Sequence, residues 1–325
     1  MSIPKVINLN PDTYQANILH TKERDWAETN CYVDIWIELI HALGFDPIAA
    51  MPFTVAIDFE GDQWTFFKFH LSDIYKLYGI DVQELAIWQP LVKHVENQIS
   101  LGRPVLVELD SMYLPDTVGT AYKEAHVKTT VAVNTIDINN KYMEYFHGQS
   151  YYKLEGSDFD AVFRMDNTDR SRLEPYVEIA KLSNNKPIPE SQLVITSLNI
   201  LKEKLQLIPN DNPFEKFKSQ FIKDLDWLKQ SGLETFHDYS FATFRQYGAC
   251  FELSAVYLDW LQQHGETGLE EAIHHFKQVS ELTKVYQFQL ARAVMRNKDV
   301  DFATLDSISQ HWQDAVSILV NKYSH

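Results

Sequence analysis

"ETNCYVDIWIELIHALG", residues 28–44, decides how the first half of the chain is read. Tyr32, Ile35, Trp36, Leu39, Ile40 and Leu43 recur at i, i+3, i+4, i+7, the spacing of one apolar helix face. Thr29 and Asn30 are both suited to the N-cap, because a short side-chain oxygen satisfies an orphan N–H. Gly44 stops the helix in the left-handed C′ position. Cys31, one of two cysteines in the chain, then falls in the first turn at the wet edge of the apolar stripe. Unpaired N–H groups and the positive end of the helix dipole favour a thiolate there, which makes Cys31 a candidate nucleophile. The competing reading is a small hydrophobe at a helix edge.

Working outward, residues 1 to about 165 mix short helices with alternating strands. "TVAIDFEGDQWTFFKF" reads as a hairpin, with Val55, Ile57 and Phe59 alternating, a turn at Gly61-Asp62, and Trp64, Phe66 and Lys68 alternating back. "LSDIYKLYG" predicts a helix capped by Ser72 and ended by Gly79. "PLVKHVENQISLG" predicts another, with Pro90 in its first turn and Gly102 at its end. "PVLVELD" is a nearly continuous apolar run, hence a buried strand ending at Asp110. "HVKTTVAVNTIDINNKYMEYFH" is a second hairpin, turning near Asn139-Asn140.

After about residue 185 the texture changes. "SNNKPIPES" reads as a linker, and helix-period segments follow near 213–231, 240–264, 268–297 and 301–323. The expected division is an α/β domain over 1–185 and an all-helical domain over 186–325. Cys250, in "FRQYGACFELSAVYLDWL", reads as a core residue of the second.

Composition narrows the function classes. The 325 residues are 45% hydrophobic, enough for a large core. Two cysteines argue against a disulfide scaffold and for a reducing, cytoplasmic setting. "MSIPKVINLNPDTYQ" lacks the pattern of a signal peptide, and no apolar run is long enough for a membrane span. A formal net charge of −16 disfavours a generic nucleic-acid binder.

A nucleophilic thiol needs a base, and the base needs an orienting group. His126 is the candidate base, because it stands just before a strand and follows the cysteine in the order of papain-like folds. Asp110, at the end of a buried strand, is the favoured orienter over His147, which closes the later hairpin. Asp58, Glu60 and Asp62 in "DFEGDQ" lack the histidine, cysteine and spacing of a metal site, so no metal is expected. Lys202, Lys204, Lys216, Lys218, Lys223 and Lys229 form a basic run that is either a partner-docking patch or an ordinary solvated helix face.

"RDWAETNCYVDIWIELIHALGFDP", "DFEGDQWTFFKF", "LYGIDVQELAIW", "ELDSMYLPDT", "HVKTTVAVNTID", "YFHGQSYYKLEGSDFD" and "FRQYGACFELSAVYLDWL" together resemble the bacterial family catalogued as domain of unknown function 1839. That family is more remotely similar to the N-terminal domain of butirosin-type acyltransferases and to bacteriocin-processing cysteine peptidases. The resemblance implies a Cys-His site at Cys31 and His126. It also implies a carrier-bound aminoacyl thioester as donor, because relatives accompany carrier-protein and amino-acid-activating genes. Asp25 stands six residues before Cys31 where the peptidases carry glutamine, and His147-Gly148 stands where they carry Asp-Pro.

The expectation is therefore an α+β papain-like domain followed by an all-helical one. Its activity would be a cysteine-dependent aminoacyl transfer from the phosphopantetheine arm of an acyl or peptidyl carrier protein to a small amine. No other cofactor, nucleic acid or membrane is expected. Cys31, His126 and Asp110 would carry the chemistry, the Cys31 N–H aided by Asn30 would hold the oxyanion, and His147 would be the alternative orienter. A thioesterase or amidase, or a silent carrier-binding module, are the competing readings.

Overall fold

A computed structural model describes residues 4–20, 24–26, 28–165, 173–186 and 188–323. The chain forms two compact units that interleave in sequence. The first comprises Met1–Thr21, Asn30–Pro47 and Leu71–Pro187; the second comprises Lys22–Thr29, Ile48–His70 and Ile188–His325.

The first unit contains helix α1 (Cys31–Ala42), helix α2 (Leu71–Tyr78), strand β1 (Asp81–Glu84), helix α3 (Leu91–Ser100), strand β2 (Val105–Asp110), strand β3 (Lys128–Asp137), strand β4 (Tyr142–His147), strand β5 (Ser150–Glu155), helix α4 (Ser157–Val162) and strand β6 (Val177–Lys181). The strands form one antiparallel sheet in the order β1-β6-β2-β3-β4-β5.

Side chains alternate across each strand. Val105, Val107, Val131, Val133, Val177 and Ile179 face a core shared with Leu91, Val92 and Val95 of α3 and Phe159 of α4. The intervening residues face α1, where Tyr32 Oη donates to Glu178 at 2.7 Å. The register of β3 and β4 shifts between Val133 and Thr135. Asn134 at that bulge bonds the backbone of Ile7 through both ends of its side chain, at 2.8 Å each. A bulge frees a side chain from the ladder, and here it ties down the N-terminal segment.

Helix α1 has the ends its sequence predicts. Asn30 accepts from the Val33 N–H at 2.9 Å. Gly44 has φ +83°, and Gly44 and Phe45 return their N–H groups to His41 and Ile40, closing the helix as a Schellman motif. The single apolar stripe is too narrow a description, however. Val33, Asp34, Ile37 and Glu38 are buried as well as Tyr32, Ile35, Trp36, Leu39 and Ile40 of the stripe.

The hairpin expected over 55–68 is a correction. Residues 47–56 form a 3-10 helix, and only the turn is paired, with a lone bridge between Phe59 and Trp64. The alternating apolar residues serve aromatic packing instead. Trp64 lies 4.9 Å from both Phe214 and Tyr247, ring centre to ring centre. This segment belongs to the second unit, which is therefore not helical from a single stretch of chain.

The rest of that unit is helices α5 (Glu190–Leu205), α6 (Pro213–Ser231), α7 (Leu233–Ala242), α8 (Phe244–Gln263), α9 (Glu270–Met295) and α10 (Ala303–Tyr323). The segment read as one helix over 240–264 is broken at Thr243, whose φ and ψ of −119° and −84° are non-helical. Its core is aromatic, built on Phe214, Phe217, Tyr247, Phe251 and Trp312. Gly248 sits mid-helix because a Cβ there would lie 2.6 Å from the Trp26 ring. That ring is held by a 2.9 Å bond from its Nε1–H to Ser280. The residues of the expected basic run are partly consumed within the unit. Lys216 pairs with Asp58 at 2.6 Å, Lys218 pairs with Asp306, and Lys204 is buried against His70.

Candidate functional site

One end of the sheet collects every residue the sequence singled out for chemistry, around the start of β3. Cys31 is the first residue of α1, partly exposed, directly after the capping Asn30. Asn30 satisfies the N–H groups of Val33 and Asp34, through its side chain and its carbonyl respectively. The Cys31 N–H has no hydrogen-bond partner among the described residues. The Cys31 thiol bonds the hydroxyl of Thr130, with Sγ 3.7 Å from Oγ1. Thr130 is buried on the α1 face of β3. Sequence reasoning missed it, since a threonine inside an apolar strand carries no motif.

Thr130 lies opposite Glu108, and Lys128 lies opposite Asp110. Paired residues and alternate residues share a face, so Asp110 lies on the α1 side, about 7 Å along β2 from the Cys31 level. Asp110 accepts from His126 Nδ1 at 2.6 Å through one oxygen and from the Met112 N–H at 3.1 Å through the other. The His126 side chain is 66% exposed, and its Nε2 makes no hydrogen bond among the described residues. The structure thus brings Asp110 and His126 together. It does not bring His126 into hydrogen bonding with Cys31, whose sulfur is taken by Thr130. The His126–Asp110 pair borders an open cleft with Trp88, Tyr113 and Lys128; Cys31 is not among the residues lining it.

His147 does not touch His126. It closes β4 on the other face, bonding Asp116 through Nδ1 and the Thr129 hydroxyl through Nε2 at 2.8 Å. Asp116 also accepts from Tyr145 Oη. Two adjacent residues of β3, Thr129 and Thr130, therefore meet His147 on one face and Cys31 on the other.

A second polar group lies behind Cys31. Cys31, Asp34 and Glu38, at i, i+3 and i+7, share a face of α1. His20 bridges the two carboxylates, with Nε2 3.3 Å from Asp34 and Nδ1 on Glu38. Burial pulls the His20 pKa down, but the bonds and charges of Asp34 and Glu38 outweigh it and raise it to about 9. His20 is therefore an imidazolium at neutral pH. Tyr14 Oη and the Asn17 N–H complete the bonding of Glu38. The sequence signal that could have found this group is two carboxylates on the buried side of an otherwise apolar helix.

Among the described residues no three of His, Cys, Asp and Glu converge as a metal site, and no helix is long and apolar enough to cross a membrane. No curated protein matches the chain. Family models do: the DUF1839 N-terminal domain over residues 15–182 and the DUF1839 C-terminal domain over 190–321. Together they span nearly all of the sequence, so the chain belongs to the DUF1839 family.

Proposed function

We propose that the first unit is a papain-like catalytic domain, and that the protein transfers an aminoacyl group from a carrier-protein thioester to a small amine through Cys31. The observation that carries this reading is Cys31 at the first position of a capped helix, bonded to Thr130 of β3, the strand whose start pairs with Asp110, which in turn holds His126. The thiolate would attack the thioester carbonyl carbon. The tetrahedral oxyanion would be met by the Cys31 N–H, which has no partner among the described residues. Collapse would expel the pantetheine thiolate, which takes up a proton, and leave an acyl-cysteine. The acceptor amine would then attack the same carbon, form the amide and release the Cys31 thiolate.

His126 suits the base role, since Asp110 holds Nδ1–H and so leaves Nε2 as the acceptor nitrogen. With the sulfur on Thr130, His126 serves the amine, taking its proton as the amide forms and releasing it to water, which balances the proton taken up by the departing pantetheine thiolate and leaves Cys31 as the thiolate. Thioester chemistry tolerates this division, because a thiolate displaces another thiolate of similar basicity. A silent carrier-binding module is the second reading. It is favoured by the Cys31–Thr130 bond, which lacks the cysteine–histidine contact of an activated nucleophile.

The test is intact-mass measurement after incubation with a panel of aminoacyl-S-pantetheine thioesters, alone and on a carrier protein. An adduct of the acyl mass on the wild type, absent from Cys31→Ala and discharged by added amines, is the expected result. Discharge by water at the same rate as by amines would make the protein a hydrolase. No adduct with any donor would leave the silent module.

A further inference from the structure

Asp110 and His126 are the two ends of a loop. The ends are joined by the strand pairing and by the Ser111 N–H on Val127 O at 2.9 Å. Inside, the loop is gathered on Thr117. The Thr117 hydroxyl bonds the carbonyls of Ser111 and Leu114 at 2.9 Å each, and its carbonyl takes the N–H groups of Thr120, Ala121 and Tyr122. The Lys123 N–H returns to Met112 O at 3.0 Å, and the Ala125 N–H to Ala121 O at 3.0 Å. Such a loop moves as a unit, so its anchors set where its ends point.

The anchor next to Thr117 is Asp116. Its side chain is 4% exposed and is held by Tyr145 Oη and His147 Nδ1, both from β4. His147 in turn reaches Thr129, three residues beyond His126. A buried carboxylate stays buried only while its donors remain. Losing them would drive Asp116 towards water and shift the Ser111–Thr117 stretch beside it, while Tyr122 and Lys123 on Asp158 hold the far side of the loop. His126 has little else to hold it. Among the described residues its one hydrogen bond is to Asp110, and its other ring contact is the edge of Tyr113, itself a loop residue, at 6.2 Å.

We propose that Asp116 and His147 are positioning residues for His126: their buried pair pins residues 111–117 to β3 and β4 and so keeps the imidazole seated on Asp110. The role rests on the reading of His126 as the base of the Cys31 reaction.

The experiment compares wild type with His147→Gln and Asp116→Asn, two changes of nearly constant volume. Long-range nitrogen–proton NMR of the histidine rings reads the tautomer of His126 without any substrate. Wild-type His126 should carry its proton on Nδ1, facing Asp110. Both variants should move it towards the Nε2–H form that a free imidazole prefers. Turnover of the aminoacyl-pantetheine donor should fall about tenfold or more in kcat with KM unchanged, the mark of a misplaced base. Should either variant fail to fold, Tyr145→Phe removes one donor from Asp116 and keeps the ring; it should shift the tautomer in the same direction. An unchanged His126 tautomer in the folded variants overturns the proposal. A shifted tautomer in a protein whose wild type shows no turnover keeps the positioning role and removes the acyl-transfer reading instead.

Discussion

The two cysteines sit on helices of similar apolar texture, and the structure gives them opposite chemistry. Cys250 lies in the middle of α8, fully buried, with its thiol on the Thr54 carbonyl at 3.4 Å. Burial pushes its pKa well up, because a thiolate there would have neither water nor a donor. Cys31 opens α1, partly exposed, and its N–H has no partner among the described residues. The difference teaches that position along a helix decides what a thiol can do. Mid-helix, every backbone N–H is already spent. At the first turn it is still available.

The largest expected effect concerns the charges behind Cys31. Replacing His20 with Phe would leave Asp34 and Glu38 buried without their shared cation. It should cost about 3–5 kcal/mol, the usual result of breaking a buried ion pair from one side. The pH dependence has a definite sign. The folded His20 pKa of about 9 exceeds the unfolded value, so its stabilisation is complete below about pH 6.5 and is lost as pH rises through 9. Urea unfolding of the wild type at pH 6 and pH 10 should differ by about 3 kcal/mol from this group. The difference should be smaller by that amount in His20→Phe, where the remaining dependence comes from the buried tyrosines, whose pKa values burial raises. The same pH dependence in wild type and variant would mean that His20 is neutral in the fold.

The next effect tests the comparison directly. Iodoacetamide at neutral pH should label Cys31 at least about a hundredfold faster than Cys250, as expected for an accessible thiol against an inert buried one. Peptide mass mapping over time reads both sites in one sample. Comparable rates would erase the distinction between the two helices and with it the nucleophile assignment.

The smallest effect sharpens the role of the cap. Asn30→Ala should lower stability by about 1 kcal/mol, typical of a lost N-cap, and slow alkylation of Cys31 as the first turn frays. Thermal denaturation and labelling of the same preparation check it. A stability loss with unchanged labelling would show that Thr130, rather than the helix end, governs the sulfur.

Much of α1 was legible because its determinants are local. The cap at Asn30, the stop at Gly44 and the apolar spacing all lie within one stretch. The same holds for β2, β3 and β4, whose long apolar runs and Asn139-Asn140 turn stand out. The segment 55–68 misled for a physical reason. Alternation reports which side chains are buried, and Phe59 and Trp64 are buried against helical aromatics rather than in a sheet. The strands β1, β5 and β6 carry no comparable signal. Two of them are four and five residues long and join the sheet only through neighbours distant in sequence.

The site divides along the same line. The sequence by itself determined which residues have chemistry to offer: a helix-start thiol at Cys31, a histidine before a strand at His126, and a carboxylate ending a strand at Asp110. Only the tertiary structure decided who meets whom. It put Asp110 on His126, gave His147 to Asp116 and Thr129, set Thr130 against the Cys31 sulfur, and buried His20 between Asp34 and Glu38. The reason is that capping and amphipathic spacing act over a single turn of chain. Hydrogen-bond partners across a sheet are chosen by strand register and by the face each residue presents, and a shift of one residue in β3 would exchange Thr129 and Thr130 and rewire both networks.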